Sequence, residues 1–143
     1  DPLIRREMQD EFLRIQRQLH KTIVFITHDF DEAIRLADRI AIMKDGALVQ
    51  VDSPEELVLA PADDYVRAFT AHVSRAKVVT LGRIAAAGVP AQVAGRLPAS
   101  ARVETVADRI VSSGAAFAVE RDGRDIGHVT PQSVIAVLLG RDG

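Results

Sequence analysis

The feature that most restricts the fold is a continuous run of β-branched and apolar residues, Thr22-Ile23-Val24-Phe25-Ile26-Thr27. Such a run has no polar face, so it is typical of a strand buried on both sides, as in a parallel sheet covered by helices. It is much shorter than the roughly 20 apolar residues that a membrane-spanning helix needs. The run therefore predicts an interior strand of an α/β domain.

The segment before this run has the pattern of an amphipathic helix. Asp1-Pro2 supplies an N-cap followed by proline at the first helical position, where its missing N–H costs nothing. The apolar residues then recur every third or fourth position and share one helical face. They are Ile4, Met8, Phe12, Ile15 and Leu19.

Signals of helix starts and tight turns bound the elements that follow. These are predicted, in order, as a helix with Asp29 and Glu32 at capping-box spacing, a strand at 40–43, the turn Asp45-Gly46, a strand at 47–51, a helix from Ser53-Pro54, and a helix at about 64–72. A parallel sheet needs more strands than these. We therefore expect residues 1–75 to be the C-terminal part of a larger α/β domain, with the chain beginning inside that domain.

The charges divide the chain into two parts. Residues 1–75 hold ten Lys and Arg against fourteen Asp and Glu, whereas residues 76–143 hold eight against six. This division favours two units, separated by an Ala-, Gly- and Pro-bearing linker at 76–96 with a short ordered piece inside. The small net charge of -2 argues against nucleic acid as a partner, and the absence of Cys excludes disulfides and thiolate chemistry.

Residues 97–140 predict a small α+β unit of α-β-β-α order. Its elements are, in order, a helix with Thr105 and Asp108 at capping-box spacing that ends at Gly114, a strand at 115–119, the turn Asp122-Gly123, a strand at 125–129, and a helix capped by Thr130-Pro131. A unit of this size is small for an independent domain.

His28 is the candidate functional residue of the first unit. It follows the predicted buried strand and precedes a helix, where open α/β sheets present groups that contact ligands. A lone histidine there also fits an ordinary turn residue, and the residues alone leave both interpretations open. We predict no metal site, because Asp29, Asp31 and Glu32 suit the first turn of a helix and no two histidines have metal-ligand spacing.

Residues 1–75 resemble the C-terminal part of the ATP-hydrolysing subunit of an ABC transporter, a P-loop NTPase. The resemblance rests on the run Thr27-His28-Asp29-x-Asp31-Glu32-Ala33-x-x-Leu36-Ala37-Asp38-Arg39-Ile40-Ala41-Ile42-Met43-Lys44-Asp45-Gly46. Two further features narrow it to subunits that energise import of glycine betaine, proline betaine, choline or carnitine. They are the C-terminal extension and the segment Pro61-Ala62-Asp63-Asp64-Tyr65-Val66.

This resemblance implies roles for two residues. In that family the histidine after this strand is the switch histidine, which contacts the γ-phosphate of ATP, and His28 matches it. Asp1 matches the last residue of the D-loop, which crosses the interface between two ATPase subunits. The complete subunit is then expected to use ATP and Mg²⁺, to pair with a second ATPase subunit, and to bind the transporter's membrane subunits at the cytoplasmic face of the cell membrane.

Three nucleotide-holding motifs of that family are missing from these 143 residues. They are the G-x-x-x-x-G-K-[ST] loop, the acidic pair after a strand, and the signature motif for the opposing subunit. We therefore expect that this chain by itself neither binds ATP tightly nor hydrolyses it, and that His28 is its one contribution to a cofactor site.

Residues 97–140 are similar to a single CBS motif, on the strength of their α-β-β-α order and the stretch Arg121-Asp122-Gly123-Arg124-x-Ile126-Gly127-x-Val129-Thr130. Such motifs usually pair, so the partner is either a degenerate motif within residues 76–96 or the same motif in a second chain. We favour pairing between chains, because residues 76–96 are short and irregular for a second copy. In nucleotide-binding members an acid three residues after the Thr contacts the ribose, but Ser133 stands here. Related betaine importers sense ionic strength with this region. The excess of two positive charges in residues 76–143 fits either a weak contact with anionic lipid or an ordinary solvated surface.

Two functions from different classes stay open. One is part of an ATP-hydrolysing subunit for import of glycine betaine or a related compatible solute, with a C-terminal unit for osmoregulation. The other is a stand-alone CBS-type regulatory or dimerisation module without ATPase activity. A third hypothesis, a small α/β protein unrelated to ATPases, would leave the long match around His28 to chance.

Overall fold

The structure, a computed structural model, describes residues 1–141. Its α-helices are α1 Pro2–Leu19, α2 Phe30–Leu36, α3 Pro54–Leu59, α4 Asp64–Thr70, α5 Leu81–Ile84, α6 Val103–Ser113 and α7 Pro131–Leu138. Its strands are β1 Ile40–Lys44, β2 Ala47–Asp52, β3 Arg96–Pro98, β4 Phe117–Arg121 and β5 Arg124–Val129, and Arg75–Lys77 forms a 3-10 turn. The mixed α/β class predicted from the sequence is confirmed.

The predicted helix starts at Asp1, Ser53 and Thr130 are confirmed. The Asp1 carboxylate accepts a hydrogen bond from the Leu3 amide at 2.8 Å, and the Ser53 hydroxyl accepts one from Glu56 at 3.2 Å. Each of these caps is followed by proline at the first or second helical position. These starts are set by interactions within a few residues, which is why the sequence predicts them.

The strands form two small sheets. β1 and β2 pair antiparallel as a hairpin, and the second sheet has the order β3-β4-β5, with β3 parallel and β5 antiparallel to β4. Both predicted hairpin turns are present. Asp45-Gly46 and Asp122-Gly123 each have positive φ at both residues, the conformation that Asp-Gly turns favour between antiparallel strands.

The predicted buried strand at Thr22–Thr27 is wrong for this chain. No strand is formed there, and the side chains of Val24 and Ile26 are 87% and 91% exposed. A buried strand needs hydrogen-bonded neighbours at both edges and helices over both faces, and nothing in residues 1–141 supplies them. For the same reason α1 buries none of its residues, although Phe12 lies beside Phe25 with ring centroids 6.2 Å apart.

Part of the segment predicted as a linker at 76–96 packs into the core. Val78, Val79 and Leu81 are at most 2% exposed. The main chain there is paired as well, since the Leu81 amide donates to the Ala101 carbonyl at 2.8 Å and the Val103 amide to the Val79 carbonyl at 2.9 Å. One cluster of buried side chains consequently extends from Phe30 of α2 to Val137 of α7. The division of the chain at residues 75 and 96 stays a prediction.

The predicted start of α6 at Thr105 is also wrong. The helix begins at Val103 with Arg102 at the N-cap position. The Thr105 hydroxyl donates to the Arg102 carbonyl at 2.8 Å and so caps no amide. The hydrogen bond from the Val103 amide to the Val79 carbonyl fixes Val103 at the start of the helix, two residues before the start that the spacing of Thr105 and Asp108 predicts.

Among residues 1–141, no helix combines the length and the apolar character needed to cross a bilayer.

We predict that Ile110→Ala destabilises the fold by about 2–5 kcal/mol, because Ile110 of α6 is fully buried and its truncation leaves a cavity. The matched control is Val111→Ala on the same helix, where the side chain is 39% exposed, with an expected cost of about 1 kcal/mol or less. Urea denaturation measures both, and equal costs would contradict the packing described for α6.

Candidate functional site

His28 lies at a bend immediately before α2, on the solvent side of the molecule. Phe30 and Ile34 of α2 are buried, so this short helix is fixed to the core through one face. The Asp29 carboxylate caps α2 by accepting a hydrogen bond from the Glu32 amide at 3.2 Å. Within the part of the chain described, the imidazole of His28 makes no hydrogen bond to protein. It is therefore available to donate to a ligand.

Glu32 is the centre of a small hydrogen-bond network beside His28. The Thr27 hydroxyl donates to one carboxylate oxygen at 2.7 Å, and the Gln9 side-chain amide donates to the other at 2.9 Å. These bonds to the charged form lower the pKa of Glu32, Thr27 contributing most. The Thr27 hydroxyl also accepts from the Asp29 amide at 3.0 Å. The predicted capping box is therefore only half formed, because Glu32 bonds to Thr27 and Gln9 instead of the Asp29 amide.

Polar contacts join α1 to α2. Besides Gln9 to Glu32, the Arg35 guanidinium pairs with Asp10, and Arg5 lies 3.7 Å from the Asp29 carboxylate. An open cleft of about 470 Å³ between the two helices is lined by residues that include Asp1 and Arg35. The two predicted site residues, Asp1 and His28, thus stand just before helices that contact each other, although the Asp1 carboxylate is already bonded to the Leu3 amide.

Two cations from residues 76–102 contact α2 on another side. The Lys77 ammonium lies 3.1 Å from the Asp31 carboxylate, and the Arg102 guanidinium donates to the Ile34 carbonyl at 2.8 Å. These two residues help to line a second cleft of about 430 Å³. The sequence analysis did not predict either contact. Lys77 is 46 positions from Asp31 and Arg102 is 68 positions from Ile34, and no local spacing indicates contacts over such separations.

The acids near His28 are engaged with protein groups. Asp29 caps α2, Asp31 pairs with Lys77, and Glu32 accepts from Thr27 and Gln9. Over residues 1–141, no three histidine or acidic side chains come together to hold a metal ion. For an ATP site, the part of this region that fits is the exposed imidazole of His28, a neutral or charged N–H donor suited to a phosphate oxygen.

Ser133 takes part in capping the N-terminus of α7. Its hydroxyl accepts from the Thr130 amide at 3.0 Å and donates to the Thr130 carbonyl at 2.9 Å, while the Ser133 amide donates to the Thr130 hydroxyl at 3.3 Å. Ser133, at the position where the resemblance to a CBS motif implies an acid in nucleotide-binding members, thus forms a reciprocal capping box with Thr130.

Several known proteins are similar to this chain. Over 140 residues, 97% of the chain, it is 51% identical to the trimethylamine N-oxide transport system ATP-binding protein of Ruegeria pomeroyi, of which it covers 41%. Over its whole length it is 40% identical to the glycine betaine/proline betaine transport system ATP-binding protein of Salmonella typhimurium, of which it covers 36%. Over 84 residues, 59% of the chain, it is 52% identical to the glycine betaine transport ATP-binding protein of Bacillus subtilis, of which it covers 20%. No family model matches.

These relatives define a class, the ATP-binding subunits of transport systems. Within that class the chain belongs to the family that includes the ATP-binding proteins of glycine betaine, choline and trimethylamine N-oxide transport systems. The family resemblance of residues 1–75 is thereby confirmed, whereas the CBS-like character of residues 97–140 stays a prediction. The chain spans about two fifths of the length of the two trimethylamine N-oxide transport proteins that it matches.

We predict that Thr27→Val raises the pKa of Glu32 towards its ordinary value, because the strongest bond to the carboxylate is lost. In the wild-type chain the folded pKa lies below the unfolded one. The ionised carboxylate therefore stabilises the fold above the unfolded pKa, and this contribution is lost as the pH falls through the lowered value. NMR titration of the Glu32 carboxyl carbon measures the shift.

Thr22→Val is the matched control, since Thr22 lies in the same segment, residues 22–27, and makes none of the bonds to Glu32. Its Glu32 titration should overlay that of the wild type. A Thr27→Val titration that also overlays the wild type would show that Thr27 does not hold this carboxylate.

Proposed function

We propose that this chain is the part of an ATP-hydrolysing transport subunit that carries the switch histidine, His28, and that the subunit energises import of glycine betaine or a related compatible solute. The observation that carries the proposal is similarity over nearly the whole chain to ATP-binding proteins of transport systems. The identity is 51% to one for trimethylamine N-oxide and 40% to one for glycine betaine/proline betaine. The match extends through both halves of the chain. It therefore favours an ATPase subunit over a stand-alone regulatory module built on residues 97–140.

The proposed role of His28 follows from its placement. ATP, with Mg²⁺, supplies the phosphoanhydride bond whose hydrolysis drives transport. Phosphoryl transfer is catalysed mainly by positioning and by donors placed where charge develops. The exposed imidazole, directly before a helix anchored through Phe30 and Ile34, donates to the γ-phosphate oxygen and orients the attacking water.

Asp1 is proposed to be the last residue of the D-loop, at the contact between two ATPase subunits. Its support is the polar contact between α1 and α2, which ties the segment after Asp1 to the segment after His28. The proposed partners are a second ATPase subunit and the membrane subunits of the importer, with the subunit peripheral to the cytoplasmic face of the membrane.

Residues 97–140 are proposed to be a regulatory unit that pairs with its counterpart in a second chain. The α-β-β-α order of α6, β4, β5 and α7 supports the CBS-like assignment. Because Ser133 is used to cap α7, we propose that regulation there does not depend on an acid that holds a ribose.

We predict that His28→Ala in the complete subunit lowers ATP turnover by about 100-fold or more, because a donor aimed at developing charge is removed. The matched control is His72→Ala, which changes another exposed histidine and should leave turnover near the wild-type rate. Steady-state phosphate release measures both. Turnover by His28→Ala equal to that of the control would refute the role given to His28.

A further inference from the structure

Two cations of residues 76–143, the C-terminal half of the chain, contact α2 at both of its ends. Near the first turn, the Lys77 ammonium lies 3.1 Å from the Asp31 carboxylate. At the last turn, the Arg102 guanidinium donates to the main-chain carbonyl of Ile34 at 2.8 Å. Because α2 has only seven residues, these two contacts span most of its length.

The Arg102 contact satisfies a group that the helix itself leaves open. The last carbonyls of an α-helix have no partner within the helix, and the C-terminal end carries partial negative charge. The Ala33 carbonyl receives the Ala37 amide at 2.9 Å, while the Ile34 carbonyl receives the guanidinium of Arg102. Arg102 thus serves as a charged C-cap supplied by a distant part of the chain.

The C-terminal half fixes Arg102 in turn. Its main chain bridges antiparallel to Thr80, and the adjacent Val103 is fully buried, with its amide bonded to the Val79 carbonyl at 2.9 Å. The side chain of Arg102 is partly buried against α2. A movement of the C-terminal half would consequently carry Arg102 with it and release the end of α2.

We propose that Arg102, supported by Lys77, is a positioning residue for His28, through which the C-terminal half sets the placement of the switch histidine. The inference rests on the proposed function of His28 for its effect on ATP turnover. Its structural part, the fixing of α2, is independent of that function. Turnover of the subunit then depends on whether residues 76–102 are seated against α2.

The structural part is tested by hydrogen exchange on the 143-residue chain. Arg102→Met keeps the aliphatic stem and removes the donor. We expect amides of residues 34–37 to exchange about three- to tenfold faster, the effect of losing one charge-assisted bond on a short helix. The matched control is Arg83→Met, which removes a cation that pairs with Glu56 of α3 instead of α2. Equal exchange of α2 in the two variants would overturn the proposal.

Lys77→Gln provides a second variant should Arg102→Met reduce the folded population. Its ion pair with Asp31 is about half exposed, so its loss should spare the fold while still accelerating exchange across α2. If a folded Lys77→Gln chain exchanges the amides of α2 at wild-type rates, the supporting role of Lys77 is refuted. The role of Arg102 is then decided by the Arg102→Met variant.

The functional part is tested in the complete subunit. Arg102→Met should lower kcat for ATP by about fivefold or more, with KM for ATP changed by less than about twofold, since placement and not binding is altered. Arg83→Met should leave both parameters at wild-type values. If His28→Ala abolishes turnover but Arg102→Met matches the Arg83→Met control, the positioning role is refuted and the proposed function stands. If His28→Ala has no effect, the proposed function of His28 fails and the exchange result alone decides the fixing of α2.

Discussion

The structure depends on the burial of Val78, Val79 and Leu81, which connect the two halves of the chain through one core. These side chains are at most 2% exposed, and the main chain around them pairs with residues 101–103. Neither half is large, and small units bury a smaller fraction of their surface, so their stability alone is marginal. Because the core is continuous from Phe30 to Val137, α2 is held by the same packing that supports the C-terminal sheet.

The helix α2 lies where three parts of the chain meet. Its buried face contacts the core, Gln9 and Asp10 of α1 contact Glu32 and Arg35, and the C-terminal half reaches it through Lys77 and Arg102. His28 precedes this helix without a hydrogen bond of its own to residues 1–141. Its main-chain position is therefore set by neighbours, while its side chain stays available for a ligand.

Features that depend on nearby residues could be predicted from the sequence. The caps at Asp1, Ser53 and Thr130 and the turns Asp45-Gly46 and Asp122-Gly123 involve contacts over at most three positions. The family resemblance around His28 could also be predicted, because it rests on a long run of matched positions.

The errors share a physical cause, which is that the outcome depends on a partner distant in the sequence or on one that residues 1–141 do not supply. The run at Thr22–Thr27 has the composition of a buried strand but meets no strand to pair with. Thr105 has capping spacing, yet the pairing of Val103 with Val79 starts the helix earlier. The contacts of Arg102 and Lys77 could not be predicted, because the sequence around a single basic residue does not indicate which distant carbonyl or carboxylate it contacts after folding.

The central proposal is that residues 22–27 and the following His28 belong to a larger α/β ATPase domain, in which the apolar run is paired as a strand. Amide hydrogen exchange of residues 22–27, compared between the 143-residue chain and the complete subunit, tests it most directly, with β4 as an internal reference that is protected in both. We predict fast exchange in the chain and protection by about 100-fold or more in the complete subunit. Equally fast exchange of residues 22–27 in both proteins would contradict it.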